Sequence, residues 1–128
     1  MEASAVTLAN ETATFQLKNG VVIMGGYAGF GEPDPDARDI ELYKTILSGD
    51  IGIPCDNSDN SYHVVTGSGT DETAVLDGFT ITAGNANGHD GGGMFNLDGS
   101  PTVMNCIFTD NSTESRGGGM HNLSLIHI

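Results

Sequence analysis

The chain has 128 residues, of which 19 are glycine, and its 17 acidic side chains outnumber 4 basic ones for a formal net charge of −13. This length allows one domain, and a glycine content about twice the average excludes a helical bundle. The charge argues against nucleic acid and against an anionic membrane surface as partners, because both recruit lysine and arginine.

The first residues carry no targeting or membrane signal. Residues 1–4 lack the basic start and apolar stretch of a secretory signal, and no apolar run reaches the roughly 20 residues of a membrane helix. We therefore expect no membrane insertion of this segment. Residues 1–14 form an N-terminal segment whose pattern fits a loop, a strand or a helix equally.

From residue 15 onward, short apolar runs alternate with turn-forming residues. The runs are short and rich in β-branched side chains, with glycine, asparagine, aspartate or serine close to nearly every one. This is the chemistry of strands and tight turns, and the sequence predicts an all-β protein. The main runs lie at 21–24, 45–47, 63–65, 74–76 and 102–104.

An internal repeat organises the second half of the chain. The segment GGGMFN at 91–96 returns as GGGMHN at 117–122, an offset of 26 in the numbering, whereas FTI at 79–81 resembles CIF at 106–108 at an offset of 27. We place the one-residue slip in the turn where residues 83–84 face Asp110, since a strand cannot shift by one without reversing its faces. The repeat positions are Asn85, Gly91, Gly92, Gly93, Met94, Asn96, Phe108, Asn111, Gly117, Gly118, Gly119, Met120 and Asn122.

A coil of this length with three short strands is typical of a parallel β-solenoid, whose coils stack at about 4.8 Å and bury their apolar faces only by stacking. An all-β sandwich gives no reason for the repeat. The glycine triplets permit positive φ and close backbone approach at a corner. The predicted stacks are Met94 on Met120, an inward apolar column, and Asn85 on Asn111 and Asn96 on Asn122, two amide ladders.

These residues carry a family resemblance. Phe108 with Asn111, and GGGM at 117–120, resemble the paired F-x-x-N and G-G-A-I motifs of polymorphic outer membrane protein repeats, with Gly-Met in place of Ala-Ile. The segments at 15–29, 38–50 and 77–81 resemble the first coils of bacterial right-handed β-helix proteins in the pectin-lyase-like superfamily. The resemblance implies a single-stranded, right-handed parallel β-helix over residues 15–122, an incomplete fragment of about four coils.

The resemblance also implies a function class. Most of the superfamily is exported, so we expect an extracellular or outer-membrane-associated protein whose signal lies outside this fragment. The expected function is a cell-surface or secreted scaffold, adhesin-like, with carbohydrate or cell-surface ligands and further coils of the same chain as partners. The alternative is that these are the N-terminal coils of a polysaccharide lyase or glycoside hydrolase. The resemblance transfers no catalytic, cofactor-binding or metal-binding residue.

The last six residues, 123–128, break the repeat. The coil should continue with a polar turn, as it does after Asn96, but an apolar tail follows instead. The hexapeptide reads as a translation of the transposase end sequence used in preparing sequencing libraries. We interpret it as an adapter-derived, non-native tail, with a native strand as the alternative.

Two acidic segments have the oxygen-rich character of cation ligands. Residues 56–61 lack the ligand spacing and the bidentate glutamate of a calcium loop, so we interpret them as a solvated turn between two coils. Glu32, Asp34 and Asp36 alternate with prolines. We interpret that segment as a loop that bulges from the solenoid, with Arg38 pairing to a neighbouring acid.

No set of side chains shows a catalytic pattern. A lyase needs a base beside a cation, but the basic residues are far apart in sequence, and we expect Arg116 to face solvent. The acids near strand ends carry no hydrolase spacing, and the histidines carry no metal spacing. Cys106 fits a small core residue better than a disulfide with Cys55. The residues considered are Lys18, Arg38, Lys44 and Arg116; Asp50, Asp77 and Asp98; and His63, His89, His121 and His127.

Overall fold

The computed structural model describes residues 10–123 and is all-β over that range, as the sequence predicts. Within these residues there is no helix long and apolar enough to cross a membrane. One short 3-10 turn, η1, spans Asn57–Asp59. The strands are β1 Phe15–Gln16, β2 Val22–Met24, β3 Thr45–Ser48, β4 Val65–Thr66, β5 Val75–Asp77, β6 Phe79–Thr82, β7 Met94–Asn96, β8 Thr102–Met104, β9 Ile107–Thr109 and β10 Met120–Asn122.

The strands form three parallel sheets. The first has the order β1-β4-β7-β10, the second β2-β5-β8 and the third β3-β6-β9. The chain therefore visits the three sheets in the same order each time, and we call one visit to all three a pass. It completes three passes and begins a fourth with β10. Because every hydrogen-bonded neighbour lies one pass away, each strand depends on the passes beside it for pairing.

The sequence repeat coincides with the sheet register in the first sheet. Met120 pairs with Met94, and Asn122 pairs with Asn96. Met94 is fully buried, and Met120 packs against the core. Asn96 Nδ2 donates a hydrogen bond of 2.6 Å to Asn122 Oδ1 in the next pass. The predicted methionine column and this amide contact are confirmed.

The predicted ladder between Asn85 and Asn111 is wrong. Asn85 pairs with Ser112, and its amide donates to Asn57 O at 2.8 Å. Asn111 accepts a hydrogen bond from Gly84 N at 2.9 Å through Oδ1 and donates to Ile81 O. Each amide therefore bonds to backbone atoms and not to the other amide.

The reason is the position of the one-residue slip, which the sequence analysis places too early. Ala83 N donates to Asp110 O, and both residues have positive φ. The two turns therefore align with each other without an extra residue at this point. The offset of 27 persists to the Asn85–Ser112 bridge. It becomes 26 by Met94, which pairs with Met120. The extra residue therefore lies in the loop at 86–90, which stacks on the shorter loop at 113–116.

The core runs between the three sheets and takes side chains from every pass. In the third sheet Ile81 is fully buried and pairs with Phe108, which packs on the core as predicted. Both cysteines are free thiols; Cys106 also packs on the core, and burial raises the pKa of its thiol. The buried cluster comprises Leu17, Val64, Val65, Ala74, Leu76, Phe79, Ile81, Met94 and Val103.

The first pass is longer than the others because two loops extend it. The loop between β2 and β3 exposes Glu32, Asp34 and Asp36, which confirms the predicted bulge. Arg38 at its base pairs with Asp77 in β5 at 3.1 Å, not with an acid of the loop. Asp77 is 5% exposed and also accepts a hydrogen bond from Asn105. The loop is thus held against the second sheet by an ion pair whose carboxylate is buried and whose guanidinium is partly exposed.

The loop between β3 and β4 contains residues 56–61, and these form a turn. Asp56 Oδ1 accepts hydrogen bonds from the hydroxyl and the amide of Ser58, which lower the pKa of Asp56. Asp59 Oδ2 accepts from Ile53 N at 2.9 Å. Asn60 and Ser61 are buried, unlike the solvated residues expected there. These carboxylates therefore cap backbone amides.

Candidate functional site

A cavity of about 470 Å³ opens where the loops at 86–90 and 113–116 meet the first sheet. Its walls come from successive passes: His63, which precedes β4, the outward face of β7 and the two loops. We call it the corner cavity. The side chains lining it are His63, His89, Asp90, Phe95, Ser115 and Arg116.

A column of rings runs along the first sheet, and two of its members, His63 and Phe95, line the corner cavity. Phe95 lies between Met94 and Asn96, both buried, so strand alternation turns its side chain outward. The rings of His63 and Phe95 stack with centroids 5.1 Å apart, and Phe95 and His121 follow at 6.0 Å. Phe95 and His121 are register partners, so parallel pairing itself builds this stack.

Asp90 is the centre of the polar contacts. Its Oδ1 accepts hydrogen bonds from Ser115 Oγ at 2.6 Å and from Arg116 N at 3.1 Å. Its Oδ2 pairs with Arg116 Nη2 at 3.2 Å and lies 3.5 Å from His121 Nε2. The Ser115 hydrogen bond is the main cause that lowers the pKa of Asp90, and the backbone amide and charge of Arg116 add to it against partial burial. Asp90 thus fixes the position of the next pass's loop.

The tautomer of His63 follows from its hydrogen bond. Its Nδ1 lies 2.8 Å from Gly91 O. A carbonyl oxygen only accepts, so Nδ1 carries the proton and Nε2 of the neutral ring remains an acceptor. His89 also lines the cavity, with its ring centroid 6.4 Å from that of His63 and 4.8 Å from that of Tyr62. The cavity is therefore lined by one imidazole whose tautomer is fixed, His63, beside the rings of His89 and Phe95.

The geometry does not build an activated nucleophile at Ser115. Its hydroxyl donates directly to Asp90, whereas a catalytic triad needs an imidazole between the hydroxyl and the carboxylate. Among residues 10–123 no group of three or more histidine, cysteine, aspartate or glutamate side chains is placed to hold a metal ion. What the cavity presents is a set of hydrogen-bond donors and acceptors around an apolar wall.

The residues considered from sequence separate into different places. Of the four basic residues only Arg116 lines the cavity; its side chain is 73% exposed, as expected, although its end pairs with Asp90. Asp77 is buried beneath Arg38, and Asp50 caps Cys55 N. Asp98 lies in an exposed turn after β7. His127 lies outside the described residues, as do most of the N-terminal segment and residues 124–128 of the tail.

The corner cavity is not predicted from the sequence, although one signal for it is present. Phe95 and His121 are separated by the repeat offset of 26 and are register partners. A search for ring-bearing residues at the repeat offset therefore finds Phe95, which lines the cavity. It does not place His63 or His89 there, because β4 pairs with β7 at an offset of 29.

We expect Asp90→Asn to make the stability less dependent on acid. The pKa of Asp90 in the fold is lowered from an unfolded value of about 3.9. The ionised carboxylate therefore stabilises the fold above that value, and this contribution is lost as pH falls through the folded pKa. Urea unfolding at pH 7 and about pH 3 measures this contribution. We expect the variant to be less stable than the unaltered chain at pH 7 and to lose less of its free energy of unfolding at pH 3.

The matched control for that experiment is Asp98→Asn, the same charge change at an exposed turn, where the positive φ of residue 98 suits asparagine equally. It should lose as much stability in acid as the unaltered chain. An acid dependence of Asp90→Asn identical to that of the unaltered chain would contradict the role given to Asp90.

Neither a family model, nor a curated protein, nor a solved structure matches this chain.

Proposed function

We propose that the chain is part of a right-handed parallel β-helix, a single-stranded solenoid of the pectin-lyase-like kind with repeats of the polymorphic outer membrane protein type. The observation that carries the proposal is the parallel register of the first sheet, in which Met94 and Asn96 face Met120 and Asn122. Equivalent residues one pass apart face each other, as in a solenoid, where each pass buries its apolar face against its neighbours.

The proposed role is that of an exported scaffold, adhesin-like, at the cell surface or outside the cell. Its strands hold the loops, and the loops meet carbohydrate or other surface ligands. Three features support this: a wall of short parallel strands, a negatively charged chain and an open cavity bordered by two loops. Further coils of the same chain are its closest partners in this proposal.

The experiment that tests the fold is a far-UV circular dichroism spectrum of the expressed chain. We expect a β-dominated spectrum, because every regular element longer than one turn in residues 10–123 is a strand. A mainly helical spectrum would refute the solenoid. The matching test of the role is the flanking coding sequence, where we expect an export signal upstream and more Gly-Gly-Gly-Met repeats before an anchor or barrel downstream.

The second candidate is a polysaccharide lyase or glycoside hydrolase whose first coils these are. One observation favours it: His63 and Arg116 both line the corner cavity, and a lyase uses a base together with a cation, although Arg116 is paired with Asp90 here. Release of unsaturated or reducing sugar ends from polysaccharides by the expressed chain would favour this candidate. Flanking coils with clustered aspartate, arginine or lysine on one strand face would do the same.

A further inference from the structure

We propose that the corner cavity binds a neutral sugar residue of a glycan chain. The inference rests on the proposed scaffold function and names the ligand class of that surface. It is carried by the juxtaposition of aromatic rings, a partly satisfied guanidinium and an imidazole acceptor in one open cavity.

The size and shape of the cavity suit a small ligand. Ligand pockets commonly enclose several hundred cubic ångströms, and the corner cavity encloses about 470 Å³. The cavity lies where the repeat is interrupted, since the longer loop at 86–90 stacks on the shorter loop at 113–116. Regular strands leave a flat wall, and this one-residue difference in loop length accompanies a recess beside it.

The polar groups match hydroxyls. Each sugar hydroxyl both donates and accepts a hydrogen bond, so a sugar site needs donors and acceptors within one ligand's reach. Within residues 10–123 the only nitrogen of the Arg116 side chain that meets a protein acceptor is Nη2, and the side chain is 73% exposed. Its Nε and Nη1 groups are donors for a ligand. His63 also lines the cavity; because its Nδ1 donates to Gly91 O, Nε2 is the acceptor of the neutral ring.

The apolar wall matches the other half of a sugar. A pyranose ring has a face of C–H bonds, which packs on aromatic surface while its hydroxyls reach outward to polar groups. Phe95 and the imidazoles of His63 and His89 line the cavity with such surface. The stack of His63 on Phe95 holds these rings in place before a ligand arrives, which reduces the cost of ordering them.

The charge balance selects a neutral sugar over an acidic one. Arg116 is the only lysine or arginine among the described residues that line the cavity, and Asp90 already neutralises it through the 3.2 Å ion pair. The chain as a whole carries a net charge of −13, which repels anionic polysaccharides. The carboxylate of a uronate would lose water in this site without gaining an unpaired cation. A neutral hexose carries no charge that needs such a partner.

Titration of the full chain with soluble hexasaccharides tests the proposal. The neutral probes are cellohexaose, maltohexaose, mannohexaose and chitohexaose, and hexagalacturonate is the acidic one. We expect calorimetry to detect binding of at least one neutral probe and weaker or no binding of hexagalacturonate. Binding of hexagalacturonate alone, or of no probe, overturns the proposal.

Variants then locate the site. Arg116→Gln and His89→Ala change exposed side chains, so the fold should persist, and each should weaken binding of the neutral probe at least 10-fold. Lys18→Gln removes the same charge from an exposed position outside the cavity and should leave affinity unchanged. Neutral binding that survives both cavity variants overturns the assignment. A β-dominated dichroism spectrum without binding rejects the sugar site and keeps the scaffold, whereas a helical spectrum rejects the scaffold itself.

Discussion

Gly93→Ala is expected to destabilise the chain by about 3 kcal/mol, at the upper end of the usual cost of overpacking. A Cβ at Gly93 would overlap the carbonyl oxygen of Gly119 in the next pass and come within 2.9 Å of Asn111 Nδ2. Gly93 has no positive φ, so the expected loss comes from contact between passes and not from backbone strain. Urea unfolding followed by circular dichroism measures the change.

Gly119→Ala is the matched control, because Gly119 is the repeat equivalent of Gly93. Among the described atoms the nearest neighbour of a Cβ at Gly119 is Phe108 Cβ at 3.6 Å, an ordinary contact. Its φ is not positive either, so alanine should leave stability unchanged or raise it by up to about 1 kcal/mol through the unfolded state. Equal effects of the two substitutions would contradict the stacking of passes.

Arg38→Ala is expected to cost about 2 kcal/mol, because removing one partner of a buried ion pair leaves an uncompensated charge and commonly costs about 3–5 kcal/mol. The Asp77 side chain is only 7% exposed, but Arg38 is 27% exposed, so solvent reduces the expected loss. Arg38 also donates to Gly25 O at 3.0 Å and lies 5.6 Å from the Tyr27 ring centre. Its loss should therefore release the loop between β2 and β3 as well.

A double-mutant cycle separates the ion pair from these other contacts. Asp77→Asn keeps the shape of the side chain and removes its charge. If the pair carries the effect, adding Asp77→Asn to Arg38→Ala should cost less than Asp77→Asn does alone. Additive losses in urea unfolding would show that Arg38 acts through Gly25 and Tyr27 rather than through Asp77.

The local parts of the fold could be predicted from sequence. Strands between turn residues, the pairing of Met94 with Met120 and the contact of Asn96 with Asn122 follow from composition and from identity at a fixed offset. The glycine triplets behave as expected, since the first glycine of each triplet has positive φ while Gly93 approaches the next pass closely. These features can be predicted because they depend only on a residue, its neighbours in the sequence and the repeat offset.

The position of the extra residue in the repeat could not be predicted from sequence. Sequence comparison put the extra residue beside Ala83, because a turn tolerates insertion better than a strand. The structure stacks Ala83 on Asp110 and puts the extra residue in the next loop. Two loops of unequal length offer several places for one insertion, and only their packing chooses among them. The Asn85 ladder was wrong for the same reason.

An all-β chain with parallel, repeating passes follows from the amino-acid sequence, because side-chain alternation and turn chemistry are local and recur at each repeat. Which distant side chains come into contact depends on the packing of the loops. Arg38, from a different loop, pairs with Asp77, and His63, His89, Asp90 and Arg116 line one cavity from successive passes. No local sequence pattern encodes these side-chain contacts, because they depend on how loops of different length pack on the paired strands.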